Sequence, residues 1–139
     1  MGVCAITVLV VVTCVVFYVS RPSTIASTLL NVDTLPKSAE SVECRSALLQ
    51  DTVTVCAFDI NPTDAKRLIS ARPYLASIEH SAVTSHERAW NLKVGQQFDV
   101  ATTYTYSTDQ GEAGYRHVDV DLMFNAEQSK VLIAFFGLI

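Results

Sequence analysis

Residues 115–139 read YRHVDVDLMFNAEQSKVLIAFFGLI, and this stretch decides the fold of the chain. Over 115–124 apolar and polar residues alternate, which is typical of a strand that buries one face against a core. Residues 125–129 are polar and predict a turn, whereas 130–139 are apolar on both faces. The pattern predicts an antiparallel hairpin whose second strand is central, covered by a helix, buried in a partner or resting against a membrane.

The residues just upstream predict a third strand of the same sheet. Over 98–106 the side chains alternate again, and residues 107–114, STDQGEAG, form a polar hairpin connection that contains glycine. One face of this strand is expected to carry Phe98, Val100, Thr102, Tyr104 and Tyr106. Together the three strands predict an antiparallel meander with one face on the core.

A strand followed by a helix is predicted further toward the amino terminus. Residues 52–60, TVTVCAFDI, are β-branched and apolar on both faces, as in a central strand. Asn61 can cap a helix, Pro62 suits its first position, and Pro73 ends it. These elements predict an α+β domain in which the meander packs against one or two helices.

Two segments give weaker signals. Residues 38–49 favour a weakly amphipathic helix, with a strand as the competing interpretation. Residues 74–94 show no sustained period and predict a long loop with a short helical turn, and loops of this length are often functional or mobile.

The amino terminus carries the strongest membrane signal. Residues 3–19, VCAITVLVVVTCVVFYV, are uncharged and would span about 25 Å as a helix, close to the thickness of a bilayer core. A cleaved signal peptide is the alternative, but no Lys or Arg precedes the apolar run. We therefore predict a single-pass transmembrane anchor at 1–20 and a domain at 38–139. Between them, residues 21–37 are predicted to be a linker, because Pro22 interrupts any helical or strand pattern there.

Two signals in the sequence disagree about the side of the membrane on which the domain lies. Arg21 follows the apolar run, so the positive-inside rule would leave the domain in the cytoplasm. The two ends of the run differ by only about one positive charge, so this signal is weak. Cys44 and Cys56 are the cysteines outside that run, and an isolated pair at this spacing predicts a disulfide in an oxidising compartment. Two buried free thiols are the alternative. The disulfide favours the extracytoplasmic side of the cell membrane.

Aromatic residues near the hairpin suggest a binding surface. Trp90, Tyr104, Tyr106 and Tyr115, together with His117, are predicted binding residues, since Tyr and Trp are enriched at interaction surfaces. The alternative is that Tyr104 and Tyr106 share the core face with Phe98. A partner protein or a second copy is also expected to pair with the apolar strand 130–139.

One set of residues suggests an enzyme instead. His117, Asp119 and Asp121 lie on one strand face at two-residue spacing, and imidazole and carboxylate groups serve both metal binding and acid–base chemistry. A small metal-dependent hydrolase is therefore the alternative function. The competing interpretation is a solvated sheet face, because parallel side chains do not by themselves converge on one ion.

The remaining features exclude several classes of function. The net charge is −4, so no basic surface for nucleic acid is expected. Phosphate-binding loops and serine nucleophile elbows are absent, and His80 and His86 lack the spacing of zinc proteases. No metal or cofactor is predicted. We expect a membrane-anchored, non-enzymatic domain that recognises a protein or cell-envelope component, in an inhibitor-like, immunity-like or envelope-complex role.

Overall fold

The computed structural model describes residues 21–48, 52–78 and 82–139, which form a six-stranded antiparallel sheet with three short helices. The strand order across the sheet is β1-β2-β6-β5-β4-β3. In chain order the elements are α1 (Pro22–Leu29), β1 (Glu40–Leu48), β2 (Thr52–Asp59), α2 (Pro62–Ser70), β3 (Leu75–Ile78), α3 (Ser85–Arg88), β4 (Thr102–Thr108), β5 (His117–Phe124) and β6 (Lys130–Leu138). The prediction of a small α+β domain with an antiparallel sheet is confirmed.

The central strand is β6, which pairs with β2 on one side and with β5 on the other along its whole length. Its residues are buried from Val131 to Phe135, on both faces of the sheet. The prediction that 130–139 pairs with a partner therefore lacks its physical basis, because β6 has no free edge to offer. Of this segment only Ile139, at the end of the chain, is largely exposed.

One face of the sheet, called here the helix face, is covered by α1 and α2. Ala26 and Leu30 from the α1 region and Ala65 and Leu68 from α2 are buried there. The sheet contributes an alternating set of apolar side chains to the same cluster: Cys56, Phe58, Val118, Val120, Leu122, Phe124, Val131, Ile133 and Phe135. The alternation predicted for 115–124 therefore positions the main core.

The opposite face, called here the open face, is covered only in part. Val55, Ala57, Met123, Leu132 and Ala134 form a second buried cluster. The segment 82–101 covers it, with buried residues Ala89, Val94 and Val100. Val100 was expected on the same face as Tyr104, and this is wrong, because β4 begins only at Thr102 and the chain reaches it from above the open face.

The amino-terminal part of the described chain differs from the expected linker. Residues Pro22–Leu29 form α1, and Ala26 and Leu30 belong to the core. The prediction that Pro22 breaks a helix here is wrong, since proline at the first position has a suitable φ and needs no donor.

The predicted transmembrane anchor at 1–20 lies outside the described residues. Within residues 21–48, 52–78 and 82–139, none of the helices is long and apolar enough to cross a bilayer. The membrane span therefore stays a prediction from the sequence.

Strand β1 replaces the weakly amphipathic helix favoured for 38–49. It pairs with β2 from Glu40 to Leu48, with an irregular register between Glu40 and Glu43. The strand was the competing interpretation, and it prevails because pairing with β2 satisfies the backbone where helix propensity is weak.

A disulfide joins β1 to β2, as predicted. Cys44 and Cys56 lie directly opposite each other in the register, with Cα atoms 4.1 Å apart and a sequence separation of 12. Such a close pair is typical of the positions in an antiparallel ladder where side chains approach most nearly. Cys56 is fully buried on the helix face, so the bond links the edge strand β1 to the core.

Arg72 connects α1 to the hairpin between β4 and β5. Its guanidinium donates to the carbonyl oxygens of Leu29 and Leu30 at 3.1 and 3.3 Å, and it pairs with Glu112 at 2.7 Å. The guanidinium also lies 4.6 Å from the ring centroid of Tyr106. Because the last carbonyls of a helix have no partner within the helix, Arg72 satisfies groups that burial would otherwise leave unpaired.

Replacing both disulfide cysteines should lower stability. For a loop of this size the chain-entropy model gives about 3 kcal/mol, so the C44S/C56S variant should lose about that much free energy of unfolding. Urea unfolding of the full chain in detergent measures it. The matched control is C4S/C14S, which should respond to reductant as the wild type does. Equal urea midpoints for oxidised and reduced wild type would contradict the bond.

Replacing Arg72 should destabilise the fold more than replacing an exposed arginine. R72M leaves two helix carbonyls without their donor and removes the cation paired with Glu112, which then keeps the hydrogen bond from Tyr106. This costs about 2–3 kcal/mol. R67M is the matched control: Arg67 is exposed and its ion pair among the described residues is with Asp64, so its loss should cost less than about 0.5 kcal/mol. Urea unfolding compares the two, and equal losses would rule out the anchoring role of Arg72.

Candidate functional site

A cleft of about 370 Å³ lies on the part of the open face that the segment 82–101 leaves uncovered. Ala134 and Phe136 of β6 contribute apolar surface to it. The other residues that line it come from the covering segment, β4 and β5: Trp90, Thr105, Tyr106, Ser107, Asp119 and Asp121. The cleft therefore combines apolar surface with carboxylates and hydroxyl groups, as small-ligand sites do.

His117, next to this cleft, lies between two carboxylates. Its Nδ1 is 2.6 Å from Asp109 Oδ1 and its Nε2 is 2.8 Å from Asp119 Oδ2. Both ring nitrogens donate to carboxylates only when the imidazole is protonated. Hydrogen bonds to Asp119, and then to Asp109, raise the pKa of His117 above its ordinary value. When protonated, His117 donates to both carboxylates and so connects the hairpin loop to Asp119, and neither ring nitrogen then carries a lone pair.

The two carboxylates of the cleft differ in environment. Burial alone would raise the pKa of Asp119, but hydrogen bonds from Ser107 and His117 outweigh it and hold the pKa below its usual value. Burial raises the pKa of Asp121, with the charge of Arg88 opposing the shift and that of Asp119 adding to it. Asp121 accepts no hydrogen bond from any described residue.

Trp90 is the exposed aromatic residue of the cleft. It is the only Trp of the chain, and it is 54% exposed. Its φ of 50° lies in the left-handed region, as does that of Asn91 at 59°. A bulky residue in this region is unusual and is held there by its surroundings, and such residues concentrate at binding and active sites.

The three tyrosines predicted as binding residues pack toward the helix face. Tyr104 contacts Phe124 at 6.0 Å between ring centroids, and Tyr115 contacts Phe135 at 5.5 Å. Tyr106 packs on Tyr74 and donates to Glu112, although it also borders the cleft. Tyr104 and Tyr106 therefore pack against the core, as the alternative interpretation from the alternating pattern predicted.

The other two histidines of the chain are His80 and His86. His86 lies in α3 and is hydrogen-bonded to the carbonyl of Gly95, and His80 lies outside the described residues. Within the part of the chain that the structure describes, no group of three His, Cys, Asp or Glu side chains is arranged to hold a metal ion. His117 and Asp119 are joined to each other instead.

A second exposed feature is the edge strand β3, which lies in the segment 74–94 that was predicted to be a loop. Among the described strands β3 pairs only with β4, and all four of its residues are exposed. Leu75 is 75% exposed and Ile78 is 71% exposed. Leu75 lies opposite Thr105, on the open face, and Ile78 lies opposite Thr102, on the helix face. The sequence signal was the short apolar run LASI, which is too brief to show a period.

Comparisons with protein-family models, with curated proteins and with solved structures found no match to this chain. The cleft and the β3 edge are two exposed features of the described residues that could bind a ligand.

The ion pairs of His117 should be visible in its titration. NMR should give a pKa above the ordinary 6.5, and D119N should lower it more than D109N does, because the bond to Asp119 contributes most. Since a raised pKa means that protonation favours the folded state, the stability advantage over H117Q should be present below pH 6.5 and fade as pH rises through the folded pKa. A pKa at or below 6.5 would contradict the geometry.

Proposed function

We propose that this chain is a non-enzymatic binding domain that recognises an extended segment of a partner protein at the β3 edge. The observation that carries the proposal is that β3 is an uncharged edge strand with exposed apolar side chains on both faces. Edge strands usually carry Lys, Pro or bulges that discourage pairing, and β3 contains none of these.

The surroundings of β3 support the same surface. Among the described residues four large apolar side chains are exposed, and three of them are Leu75, Ile78 and Trp90. Trp90 lines the cleft beside Thr105, the residue opposite Leu75. A strand added to β3 would gain backbone hydrogen bonds, and its alternate side chains would contact Leu75 on one face and Ile78 on the other.

The expected occupant is a segment of another protein and not a second copy of this chain. Two copies of a four-residue strand pairing with each other bury less surface than the roughly 1,000 Å² that a stable interface requires. A longer segment can continue along the sheet edge beyond the four residues of β3.

The location of the domain is part of the proposal. Residues 3–19 would act as a retained single-pass membrane anchor, on the strength of their length and apolar character. The Cys44–Cys56 disulfide supports the extracytoplasmic side of the cell membrane, where such bonds persist. The partner would then be a protein or another component of the cell envelope.

The alternative of a metal-dependent hydrolase using His117, Asp119 and Asp121 has less support. Both nitrogens of His117 face carboxylates, so a substrate or a metal ion would have to displace Asp109 or Asp119 to reach the ring.

Site-specific photocrosslinking tests the edge. A photoreactive residue at Ser77 in the full, membrane-inserted chain should give a discrete adduct with another protein, and the same residue at Ser46 on the opposite edge strand should not. I78K should suppress the adduct, because a charge on the edge opposes strand pairing, and T63K on α2 should leave it unchanged. An adduct with the mass of two copies, or no adduct, would contradict the proposal.

A further inference from the structure

The cleft beside Trp90 has a ligand chemistry of its own, separate from the β3 edge. Adjacent strands lie about 4.8 Å apart, so a segment added beyond β3 would lie about 14 Å from β5. A side chain on that segment would not reach Asp119 or Asp121. The cleft is therefore a second surface, and its occupant must be argued from its own residues.

Asp121 carries the carboxylate of the cleft that lacks a hydrogen-bond donor among the described residues. It is half-buried in the cleft and accepts no hydrogen bond from any described residue. The charged groups that face it are Arg88 and Asp119, and their influences oppose each other. Burial still raises the pKa of Asp121, which means that Arg88 does not fully compensate for its lost hydration. A cationic donor entering the cleft would supply the missing interaction.

The other walls of the cleft suit an organic cation better than a metal ion. The exposed indole of Trp90 offers a face on which a guanidinium or ammonium group is attracted. Ala134 and Phe136 contribute apolar surface for a carbon stem. Asp119 is held by His117 and Ser107, so the second carboxylate is fixed in place before any ligand arrives.

We propose that the cleft lined by Trp90, Asp119 and Asp121 binds a guanidinium or ammonium group carried on an apolar stem. The cation lies against the Trp90 indole and donates to Asp121. Two sources share this chemistry, a basic side chain of a polypeptide and a free amine. A volume of about 370 Å³ is within the usual range for a ligand pocket, about 300–1,000 Å³.

Because Trp90 is the only Trp of the chain, its fluorescence reports directly on the cleft. We expect N-acetyl-argininamide to change the emission of the full-length protein in detergent saturably, and N-acetyl-citrullinamide, its neutral isostere, to bind at least tenfold more weakly. Agmatine provides the free-amine arm. Tighter binding of agmatine than of N-acetyl-argininamide assigns the site to free amines, and the reverse assigns it to side chains.

Variants identify the responsible group. D121N should weaken binding of the cation at least tenfold, whereas D33N, which removes an exposed carboxylate elsewhere, should leave it unchanged. W90A, measured by calorimetry, tests the same site if D121N does not fold. I78K should not alter binding, so failure of the edge proposal and failure of this one are distinguishable. Equal binding of the cation and its isostere, or full binding by D121N, would overturn the proposal.

Discussion

The burial of β6 on both of its faces is the constraint on which the rest of the structure depends. A strand that is apolar on both sides must lie inside a sheet, and both faces of that sheet must be covered. α1 and α2 cover the helix face, where the largest core side chains lie. Among the described elements none of the helices of comparable length lies on the open face, and the segment 82–101 covers it instead. Trp90 of that segment borders the part of the open face that stays uncovered, and this part forms the cleft.

The two edge strands of the sheet, β1 and β3, are attached to the rest of the fold in different ways. β1 is tied to the core by the Cys44–Cys56 disulfide and by packing of α1 beside it. β3 has neither a disulfide nor a charged residue, and its attachment is the pairing with β4. Arg72, three residues before β3, fixes the start of this edge to α1 and to the Glu112 hairpin. A strand whose outer edge is open is suited to strand addition, because its backbone groups are available to a further strand.

Sequence patterns predicted the parts of the fold in which one local preference dominates. Alternation located β5, the two-faced apolar run located β6, and Asn61 with Pro62 marked the start of α2, where the Asn61 side chain accepts from the Asp64 amide. α1 was missed because Arg21 provides no side-chain cap and the Ser and Thr content resembles a linker. Its helix is held by packing of Ala26 and Leu30 and by Arg72.

The candidate site was only partly predictable for a related reason. His117, Asp119 and Asp121 were identified from spacing, but the contact with Asp109 depends on how the hairpin loop folds back. Trp90 was identified by residue type, and its position beside Asp121 follows from a segment without periodicity. Tyr104 and Tyr115 were assigned to binding by composition, and their packing on Phe124 and Phe135 reflects the register of the sheet.

Hydrogen exchange of the backbone amides in the full chain tests most directly whether β6 is a buried central strand and β3 a free edge. The amides of β6, paired on both sides, should be among the slowest to exchange and should open only with global unfolding. The outward amides of β3 should exchange orders of magnitude faster, since no described strand covers them. Exchange at β6 as fast as at β3 would contradict a buried central strand with a free edge beside it.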